Sequence, residues 1–229
     1  TGAFAKRWDI LKLLHKYVSR RALLNIVTNE SHERIYLGWR AATLILSDLV
    51  FEIPMKNAVS LSNKFNIVAI CSFSPDEPVN DIIEAARDLS EFTFYITGDY
   101  NRASPYLTKQ KPDNVYFTGF LPDQEYYDLL HASDLIMVLV NKENTMQQGA
   151  YEAVSIKKPM VLSNTKVLKE IYKKGTVFVD NNKESIKMGI LKMRENYDLY
   201  KKEIETLFKE RKLLLEQKIQ YLSNLINIV

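Results

Sequence analysis

The hydrophobic pattern of the chain begins with apolar residues at helical spacing. Phe4, Trp8, Leu11, Leu14 or His15, and Val18 recur every three to four residues, which predicts an amphipathic helix over 4–18. Three further elements follow, a strand at 22–28, a helix at 29–39 capped by Asn29, and a strand at 42–47. This order of helix, strand, helix and strand is typical of one portion of a Rossmann-like domain, whose remaining strands are not in the sequence.

A regular alternation of strands and helices begins near Asn66. Its predicted strands are short and compatible with a parallel sheet, and the run at 134–140 is typical of a strand buried on both faces. The predicted strands are 67–73, 92–97, 115–118, 135–140, 160–162 and 177–179, and the predicted helices are 78–90, 123–132, 146–155 and 167–174. The fold class predicted is therefore α/β, a doubly wound parallel sheet, with its ligand crevice at the carboxyl ends of the strands.

The pattern divides the chain into three parts. Residues 1–55 form the partial Rossmann-like domain, 66–182 the second domain, and 183–229 a helical tail of mixed charge. Pro54 and the polar stretch 56–64 are predicted to be a linker. The apolar spacing in the tail is too irregular to favour a coiled-coil dimer, which is the alternative. Because the chain opens with Thr-Gly-Ala instead of Met, we expect the first domain to be incomplete.

Composition narrows the classes of protein that fit. A hydrophobic content of 46% supports a real core, and a net charge of +3 with interspersed signs gives no indication of nucleic-acid binding. The single cysteine, Cys71, lies in an apolar run and is predicted to be a core residue in a reducing compartment. No apolar run reaches bilayer length and no signal peptide is recognisable. We expect a cytoplasmic protein, with peripheral contact at the inner membrane face through the basic segment 6–21 as the alternative.

The segment from Asn141 to Ser163 contains the most chemistry. It follows an apolar run at 134–140 that is predicted to be a buried strand, so its polar turn leaves the carboxyl end of that strand. Thr145 and Gln148 have the spacing of a capping box, with Asn144 as an alternative N-cap, so the helix is predicted to begin near Met146.

A helix start at this place offers unpaired amides and partial positive charge, which suit a diphosphate. Gly149 would allow a ligand to approach closely, and Glu152, one turn further on, would accept hydrogen bonds from sugar or ribose hydroxyls. Apolar neighbours on both sides of Glu152 favour this interpretation. The alternative is an ordinary strand, loop and helix in which Glu152 is solvated.

At these residues the chain resembles the retaining glycosyltransferases of the GT-B fold. Their C-terminal domain has a Glu, seven intervening residues and a second Glu, followed by a Gly-Lys-Pro-Val strand entry. Glu152 matches the second Glu, and Lys158-Pro159-Met160-Val161 matches the strand entry. A bacterial subgroup is more similar still, through Thr145-Met146-Gln147, Gly149-Ala150 and Glu152-Ala153. Asn144 stands at the position of the first Glu, with Glu143 one place early. The resemblance extends from about Asn66 to the C-terminus.

The resemblance implies a hexosyltransferase of polysaccharide biosynthesis that moves a sugar from a nucleotide-diphosphate sugar to a glycan or lipid-linked acceptor. It also implies retention of anomeric configuration, independence of metal, and no separate cofactor. Asn144 and Glu152 are the catalytic candidates that it implies. The candidates for binding the sugar donor are Ser72, Phe73, Gly98, Gly119, Phe120, Lys142, Thr145, Met146, Gln147, Gln148 and Gly149.

Several of these assignments have alternatives. The Gly-Arg of the family is replaced after the first strand by Ser72-Phe73 and then Asp76-Glu77, so Lys142 would have to supply the cation. Ser72 fits a plain turn before Pro75 equally well, and the glycines at 98 and 119 fit tight turns. The alternatives at the level of function are a non-catalytic nucleotide-sugar-binding module and a nucleotide-sugar epimerase. Because the acceptor residues would lie outside the sequence, we expect residues 1–229 to bind nucleotide weakly and to transfer little sugar.

Other kinds of site have little support in the sequence. The spacings HxxxH, HExxH and CxxC, which are typical of metal sites, do not occur. The G-x-S-x-G elbow of serine hydrolases is also missing. His131, between leucines and an alanine in a predicted helix, is expected to be structural.

Overall fold

The computed structural model of the chain describes residues 2–46, 50–102 and 109–227, with side chains from residue 9 onward. Two compact units are formed. The first comprises Thr1–Leu49 with Lys218–Val229, and the second comprises Val50–Gln217. Within the described ranges, no helix combines the length and apolarity needed to cross a membrane.

The first unit confirms the predicted order of elements. It contains α1 (Gly2–Ser19), β1 (Asn25–Val27), α2 (Glu30–Gly38) and β2 (Thr43–Ile45), with β1 and β2 parallel. Asn29 caps α2 as predicted, because its side chain accepts a hydrogen bond of 3.0 Å from the His32 amide. Both strands are shorter than predicted, and the predicted strand end at Ser47 lies outside the described residues.

Helix α1 carries its apolar stripe on the surface of this unit. Leu11, Leu14 and Val18 are each at least half exposed, while the side chains of Phe4 and Trp8 lie outside the described residues. The segment is therefore helical at the predicted place, although the described part of its apolar stripe is not buried.

The second unit is built on a sheet of six parallel strands in the order β5-β4-β3-β6-β7-β8. The strands are β3 (Phe65–Ala69), β4 (Phe92–Thr97), β5 (Val115–Gly119), β6 (Leu135–Val138), β7 (Met160–Ser163) and β8 (Thr176–Val179). The helices are α3 (Val79–Arg87), α4 (Asp123–Ala132), α5 (Gln148–Ser155), α6 (Lys166–Ile171), α7 (Lys183–Glu195) and α8 (Tyr197–Asn227), with a 3-10 turn at Tyr100–Arg102. Helix α8 extends past Gln217 into the first unit.

Helices cover both faces of this sheet. Ile67 and Ala69 of β3 point to the face covered by α3 and α7, whereas Val68 between them points to the face covered by α4, α5 and α6. This strict alternation explains why β3 is apolar at every one of these positions, since neither face of the sheet meets water. The predicted doubly wound parallel sheet is confirmed.

The segment 50–64, which includes the predicted linker of Pro54 and 56–64, has no helix or strand but is hydrogen-bonded to α4. The Asp128 carboxylate accepts hydrogen bonds from the Lys56 and Asn57 amides at 2.8 and 3.1 Å, and from the Asn57 side chain at 2.8 Å. His131 Nε2 donates to the Ile53 carbonyl at 2.7 Å, which gives this histidine the structural role expected of it. The segment therefore belongs to the second unit from Val50 onward.

Two glycines with left-handed backbone end β4 and β5. Gly98 has a φ of 96° and Gly119 a φ of 74°, and the Gly98 amide donates to the Gly119 carbonyl at 3.1 Å. A Cβ atom at Gly98 would lie 2.0 Å from the Cys71 carbonyl oxygen, whereas at Gly119 the nearest atom, on Tyr100, is 3.8 Å away. Glycine at position 98 is thus required both by its backbone angles and by close approach to the β3 loop.

We expect Asp128→Asn to lower the melting temperature of the protein by a few degrees. The asparagine side chain can accept hydrogen bonds through one oxygen only. Its NH₂ group would face the main-chain N–H groups of Lys56 and Asn57, which are themselves donors. Burial raises the pKa of Asp128, but the hydrogen bonds from Lys56, Asn57 and Gln124 lower it by more, from 3.8 to about 2. Because the folded pKa is the lower one, the contribution of the carboxylate is fully present above the unfolded value and is lost as the pH falls from about 4 to about 2.

The measurement is denaturation followed by circular dichroism between pH 7 and pH 3. The difference between wild type and Asp128→Asn should be constant near neutral pH and should shrink below about pH 4. Asp113→Asn, at an exposed position, is the matched control. Equal melting temperatures for the two variants would contradict the anchoring role of Asp128.

Alanine substitutions at Gly98 and Gly119 should differ sharply in cost. Gly119→Ala meets only the backbone penalty of a left-handed residue, about 1–2 kcal/mol in the free energy of unfolding. Gly98→Ala adds a clash with the Cys71 carbonyl that backbone movement must relieve, so we expect a total loss of at least about 3 kcal/mol. Urea denaturation of both variants checks this, and a smaller loss for Gly98→Ala than for Gly119→Ala would show that the close approach is unimportant.

Candidate functional site

The candidate site lies at the carboxyl edge of the sheet, where the strand order reverses between β3 and β6. The loops that follow these two strands are in contact there. The Asn141 amide donates to the Asp76 carbonyl at 2.7 Å, and Lys142 Nζ lies 2.9 Å from Asp76 Oδ2. In doubly wound sheets, such a reversal opens the crevice in which ligands bind.

A cavity of about 250 Å³ opens beside this reversal, over the ends of β3, β4 and β5. It brings together four of the predicted residues, Gly98, Gly119, Phe120 and Glu152. Phe120 stands at this cavity with 89% of its side chain exposed. The other lining residues are Ile70, Cys71, Thr97, Leu121, Asp123, Tyr126 and Tyr127. The wall is thus mostly apolar, with a few carboxyl and hydroxyl groups, as is typical of small-molecule sites.

Glu152 is held within this cavity by two neighbours and does not point into bulk solvent. The Tyr126 hydroxyl donates to Glu152 Oε2 at 2.5 Å, and the Gln148 side chain, one turn earlier on α5, also hydrogen-bonds the carboxylate. Burial raises the pKa of Glu152, while the hydrogen bonds from Tyr126 and Gln148 act in the opposite direction. The pKa of Tyr126 is raised well above its usual range, by burial first and then by the charge of Glu152, so the tyrosine is the donor.

Helix α5 begins at Gln148, two residues later than predicted. The predicted capping box is wrong, because Thr145 Oγ1 donates to the Glu143 carbonyl at 3.3 Å and Gln147 is the N-cap, without a side-chain hydrogen bond. The Ala150 amide already bonds to the Gln147 carbonyl at 3.1 Å. The amides of Gln148 and Gly149 therefore open the helix, and at this position they have no acceptor within it.

Asn144 and Glu143 have different roles in the loop before α5. Asn144 has a φ of 55°, a left-handed conformation that asparagine tolerates better than most residues. The Glu143 carboxylate accepts a hydrogen bond of 3.2 Å from the Lys166 amide at the start of α6. Glu143 is thus engaged with a neighbouring helix and does not take the place that Asn144 occupies.

Gly149 is explained by packing of helix on sheet. A Cβ atom there would lie 2.8 Å from Ile70 Cδ1 and 3.1 Å from Val138 Cγ2. The space that a side chain would fill is therefore occupied by these two residues of the sheet. This differs from the predicted reason for a glycine, which was close approach of a ligand, and leaves the Gly149 amide as the group with which a ligand would interact.

The loop after β3 is organised by an internal carboxylate. Glu77 accepts hydrogen bonds from the Ser72 amide at 2.9 Å, from Ser72 Oγ at 2.9 Å and from the Ser74 amide at 3.1 Å. Between these amides, Phe73 has a φ of 57° and its ring is buried, 5.9 Å from that of Phe117. Consecutive amides around a left-handed residue form an anion-binding nest, and here the anion is supplied by the protein.

Lys142, predicted to supply a cation, is paired with Asp76 across the two loops. Hydrogen bonds from Ser74 and then from Lys142 lower the pKa of Asp76 to about 2, so the carboxylate is charged at any ordinary pH. The positive charge of Lys142 is therefore largely compensated within the protein. Of the remaining predicted residues, Met146 packs against the core beneath the loop and Gln147 caps α5.

Three residues of this edge were missed by sequence reasoning. Tyr126 holds Glu152, Glu77 fills the β3 loop, and Arg102 Nη1 donates to the Ser72 carbonyl at 3.2 Å. Tyr126 and Arg102 each bond to a residue at least 26 positions away in the sequence. Glu77 bonds to Ser72 across a turn whose shape the sequence does not specify. The one indication in the sequence was the acidic pair Asp76-Glu77 after the first strand of this unit. Its negative charge is unfavourable for phosphate binding, but the sequence does not show which amides the two carboxylates bind.

Comparison with solved structures identifies proteins of the same architecture. Sucrose-phosphate synthase from Thermosynechococcus elongatus aligns with a TM-score of 0.72 at 14% identity, covering 95% of this chain and 62% of the synthase. Anabaena HepE in complex with UDP and glucose aligns with a TM-score of 0.72 at 16% identity, covering 92% and 66% respectively. The pneumococcal O-GlcNAc transferase GtfA in complex with UDP and GlcNAc gives 0.67 at 11% identity, covering 89% and 45%.

These low identities establish the fold alone. The chain spans 62% of the synthase and 66% of HepE, so it is shorter than either. The neighbours are glycosyltransferases of GT-B architecture, which confirms the resemblance noted in the sequence.

A search of curated proteins gives no significant match. The sequence profile of the glycosyl transferases group 1, in contrast, matches residues 64–196, more than half of the 229 residues. The match spans all six strands of the parallel sheet and both loops of the candidate site. The chain belongs to the glycosyl transferases group 1 family.

Proposed function

We propose that the second unit binds a nucleotide-diphosphate sugar at the carboxyl edge of its sheet and passes the sugar to a glycan or lipid-linked acceptor. The transfer proposed is metal-independent and retains the anomeric configuration. The observation that carries the proposal is the position of Glu152, held by Tyr126 in the cavity and one turn from the amides that open α5.

The proposed role of Glu152 is to accept hydrogen bonds from the ribose hydroxyls of the nucleotide. A carboxylate has about four lone-pair sites, and Tyr126 and Gln148 each occupy one. About two sites are left, which matches the two neighbouring hydroxyls of a ribose. Hydrogen bonds to a charged acceptor in a partly desolvated cavity are stronger than neutral ones.

The nucleobase would lie against the turns after β4 and β5. Gly98 and Gly119 present main-chain groups without side chains, and both line the same cavity as Glu152. The ring of Phe120 is almost fully exposed, an unusual state for an aromatic side chain, which can be relieved by stacking on a planar ligand. HepE and GtfA were solved with UDP, so UDP is the first nucleotide to test.

The diphosphate would interact with the amides of Gln148 and Gly149. The two other anion sites at this edge are already compensated, because Glu77 binds the Ser72 and Ser74 amides and Asp76 pairs with Lys142. A helix start provides unpaired donors and the positive end of the helix dipole without a basic side chain. As the bond to the sugar breaks, negative charge grows on the leaving phosphate, and prearranged amides stabilise it. Asn144 would then bind the sugar through its amide group.

A second candidate function is a nucleotide-sugar-binding module without catalysis. It is favoured by Asn144 at the position of the first family carboxylate, together with the engagement of Glu143 by the Lys166 amide. In this case the site would bind the same nucleotides but would leave the sugar attached. Transfer assays therefore separate the two candidates, whereas binding assays do not.

We expect residues 1–229 to bind UDP or another nucleoside diphosphate, and Glu152→Gln to weaken that binding about tenfold. The substitution keeps the size of the side chain but removes the charge that strengthens its hydrogen bonds to hydroxyls. Calorimetric titration with UDP, GDP and ADP gives the preferred base and the loss of affinity.

Two controls accompany this titration. Glu205→Gln removes a carboxylate from an exposed position on α8 and should leave the affinity unchanged. Replacing Mg²⁺ by EDTA in the buffer should change the affinity for the nucleotide less than twofold if main-chain amides bind the diphosphate. Failure of all three nucleotides to bind would contradict the proposed function.

Sugar transfer by residues 1–229 is expected to be slow, because the chain spans about two thirds of HepE. Where transfer occurs, the product should have the same anomeric configuration as the sugar donor, which proton NMR couplings of the new linkage report. Rapid turnover by residues 1–229 would contradict the first expectation, and an inverted product the second. Nucleotide binding without any transfer, by residues 1–229 and by any longer chain that contains them, would favour the non-catalytic module.

A further inference from the structure

Tyr126 is the only side chain of α4 with a hydrogen bond to Glu152 among the described contacts, and it comes from a helix whose C-terminal half is anchored in the second unit. Two residues later, Asp128 is buried and bound to the amides of Lys56 and Asn57. Leu129 and Leu130 are buried in the core. The Tyr126 hydroxyl therefore approaches Glu152 from a rigid support.

We propose that Tyr126 is a positioning residue that fixes the Glu152 carboxylate, so that its remaining lone pairs face the vicinal hydroxyls of the bound nucleotide. This inference rests on the proposed function, in which Glu152 binds ribose. It extends that function by assigning discrimination between ribose and deoxyribose to a residue that acts through Glu152.

The hydroxyl of Tyr126 is a permanent donor in this setting. Burial and the charge of Glu152 both raise its pKa, so the hydroxyl is protonated near neutral pH. A serine or water at this place could donate or accept and could turn away. A tyrosine ring packed 5.3 Å from the ring of Tyr127 has little freedom to do so.

One consequence concerns the rotation of the carboxylate. Without the Tyr126 hydroxyl, Gln148, a flexible side chain on the same helix as Glu152, is the one restraint on the carboxylate among the described residues. Holding a binding group in its productive geometry before the ligand arrives lowers the entropy that binding must overcome. Loss of the Tyr126 hydroxyl should therefore reduce the affinity for nucleotides that bind Glu152 through both ribose hydroxyls more than the affinity for nucleotides that bind it through one.

Other groups face Glu152 in the cavity and bear on its protonation. These are Asp123, Tyr126 and Tyr127 on α4 and Cys71 at the end of β3, besides Gln148 on α5. Burial raises the pKa of Cys71 above its usual range and, with the charge of Glu152 as the second cause, that of Tyr127. Both of these groups are therefore uncharged near neutral pH. Because Asp123 is common to wild type and variant, the difference between their pH profiles isolates Glu152.

The test compares wild type and Tyr126→Phe in titrations with UDP and with 2′-deoxy-UDP, or with GDP and 2′-deoxy-GDP if guanine is preferred. We expect Tyr126→Phe to weaken the ribonucleotide about five- to tenfold and the deoxy analogue less than twofold. In a Glu152→Gln background the same substitution should have no further effect. Tyr116→Phe, half exposed on β5, removes a hydroxyl outside the cavity and is the control.

A pH profile gives a second readout, which a merely structural residue would not alter. The hydrogen bond from Tyr126 lowers the pKa of Glu152, so its removal raises that pKa further. Nucleotide affinity falls when Glu152 is protonated, and this fall should therefore begin at a higher pH in Tyr126→Phe than in wild type.

Three outcomes decide the matter. Equal weakening of both nucleotides with an unchanged pH profile would overturn the positioning role and leave Tyr126 as a packing residue. Full affinity of Tyr126→Phe for the ribonucleotide would also overturn it. If wild type itself binds no nucleoside diphosphate, the proposed function has failed, and that result is distinguishable because it needs no variant.

Discussion

The reversal of strand order between β3 and β6 is the constraint on which the site depends. The chain runs from β3 to β4 on one side of the reversal and from β6 to β7 on the other. The loops after β3 and β6 therefore lead to helices on opposite faces of the sheet, and a gap is left between the two loops. Everything that the site offers a ligand is arranged around this gap, with α5 beginning on one side and the glycine turns of β4 and β5 on the other. The core maintains the gap, because both faces of the sheet are filled with close-packed apolar side chains that permit no shift of register.

At the carboxyl edge of the sheet, carboxylates of the protein itself bind groups that could otherwise bind an anion. Lys142 is engaged by Asp76, the amide nest of the β3 loop is engaged by Glu77, and Arg102 donates to the Ser72 carbonyl. The main-chain amides that open α5 have no acceptor within the helix. Amides are fixed by the backbone, so they need no reorganisation when a ligand arrives, whereas a lysine must give up its water and its partner first.

Sequence patterns predicted the order of the strands and the parallel sheet correctly, because both follow from local apolar runs and their alternation with helices, although strand ends were misplaced, as at 67–73 for Phe65–Ala69. Helix α4 was predicted at its exact bounds of Asp123–Ala132. The start of α5 was misplaced by two residues, since Thr145 bonds backward to Glu143 instead of forward. The partners of Glu152 and Ser72 were out of reach for another reason. They depend on which side chains the fold brings within hydrogen-bonding distance of one another, and pattern and spacing contain no such distances.

The burial of Cys71 has a practical consequence. It is the single cysteine of the chain, and burial makes its thiol a poor nucleophile. A cysteine introduced at an exposed position next to the lining residue Tyr126, such as Glu125, would thus be the one readily alkylated thiol in the molecule. A fluorophore or spin label could be attached beside the cavity without first removing a native thiol. Its signal would then report the binding of a ligand in the cavity.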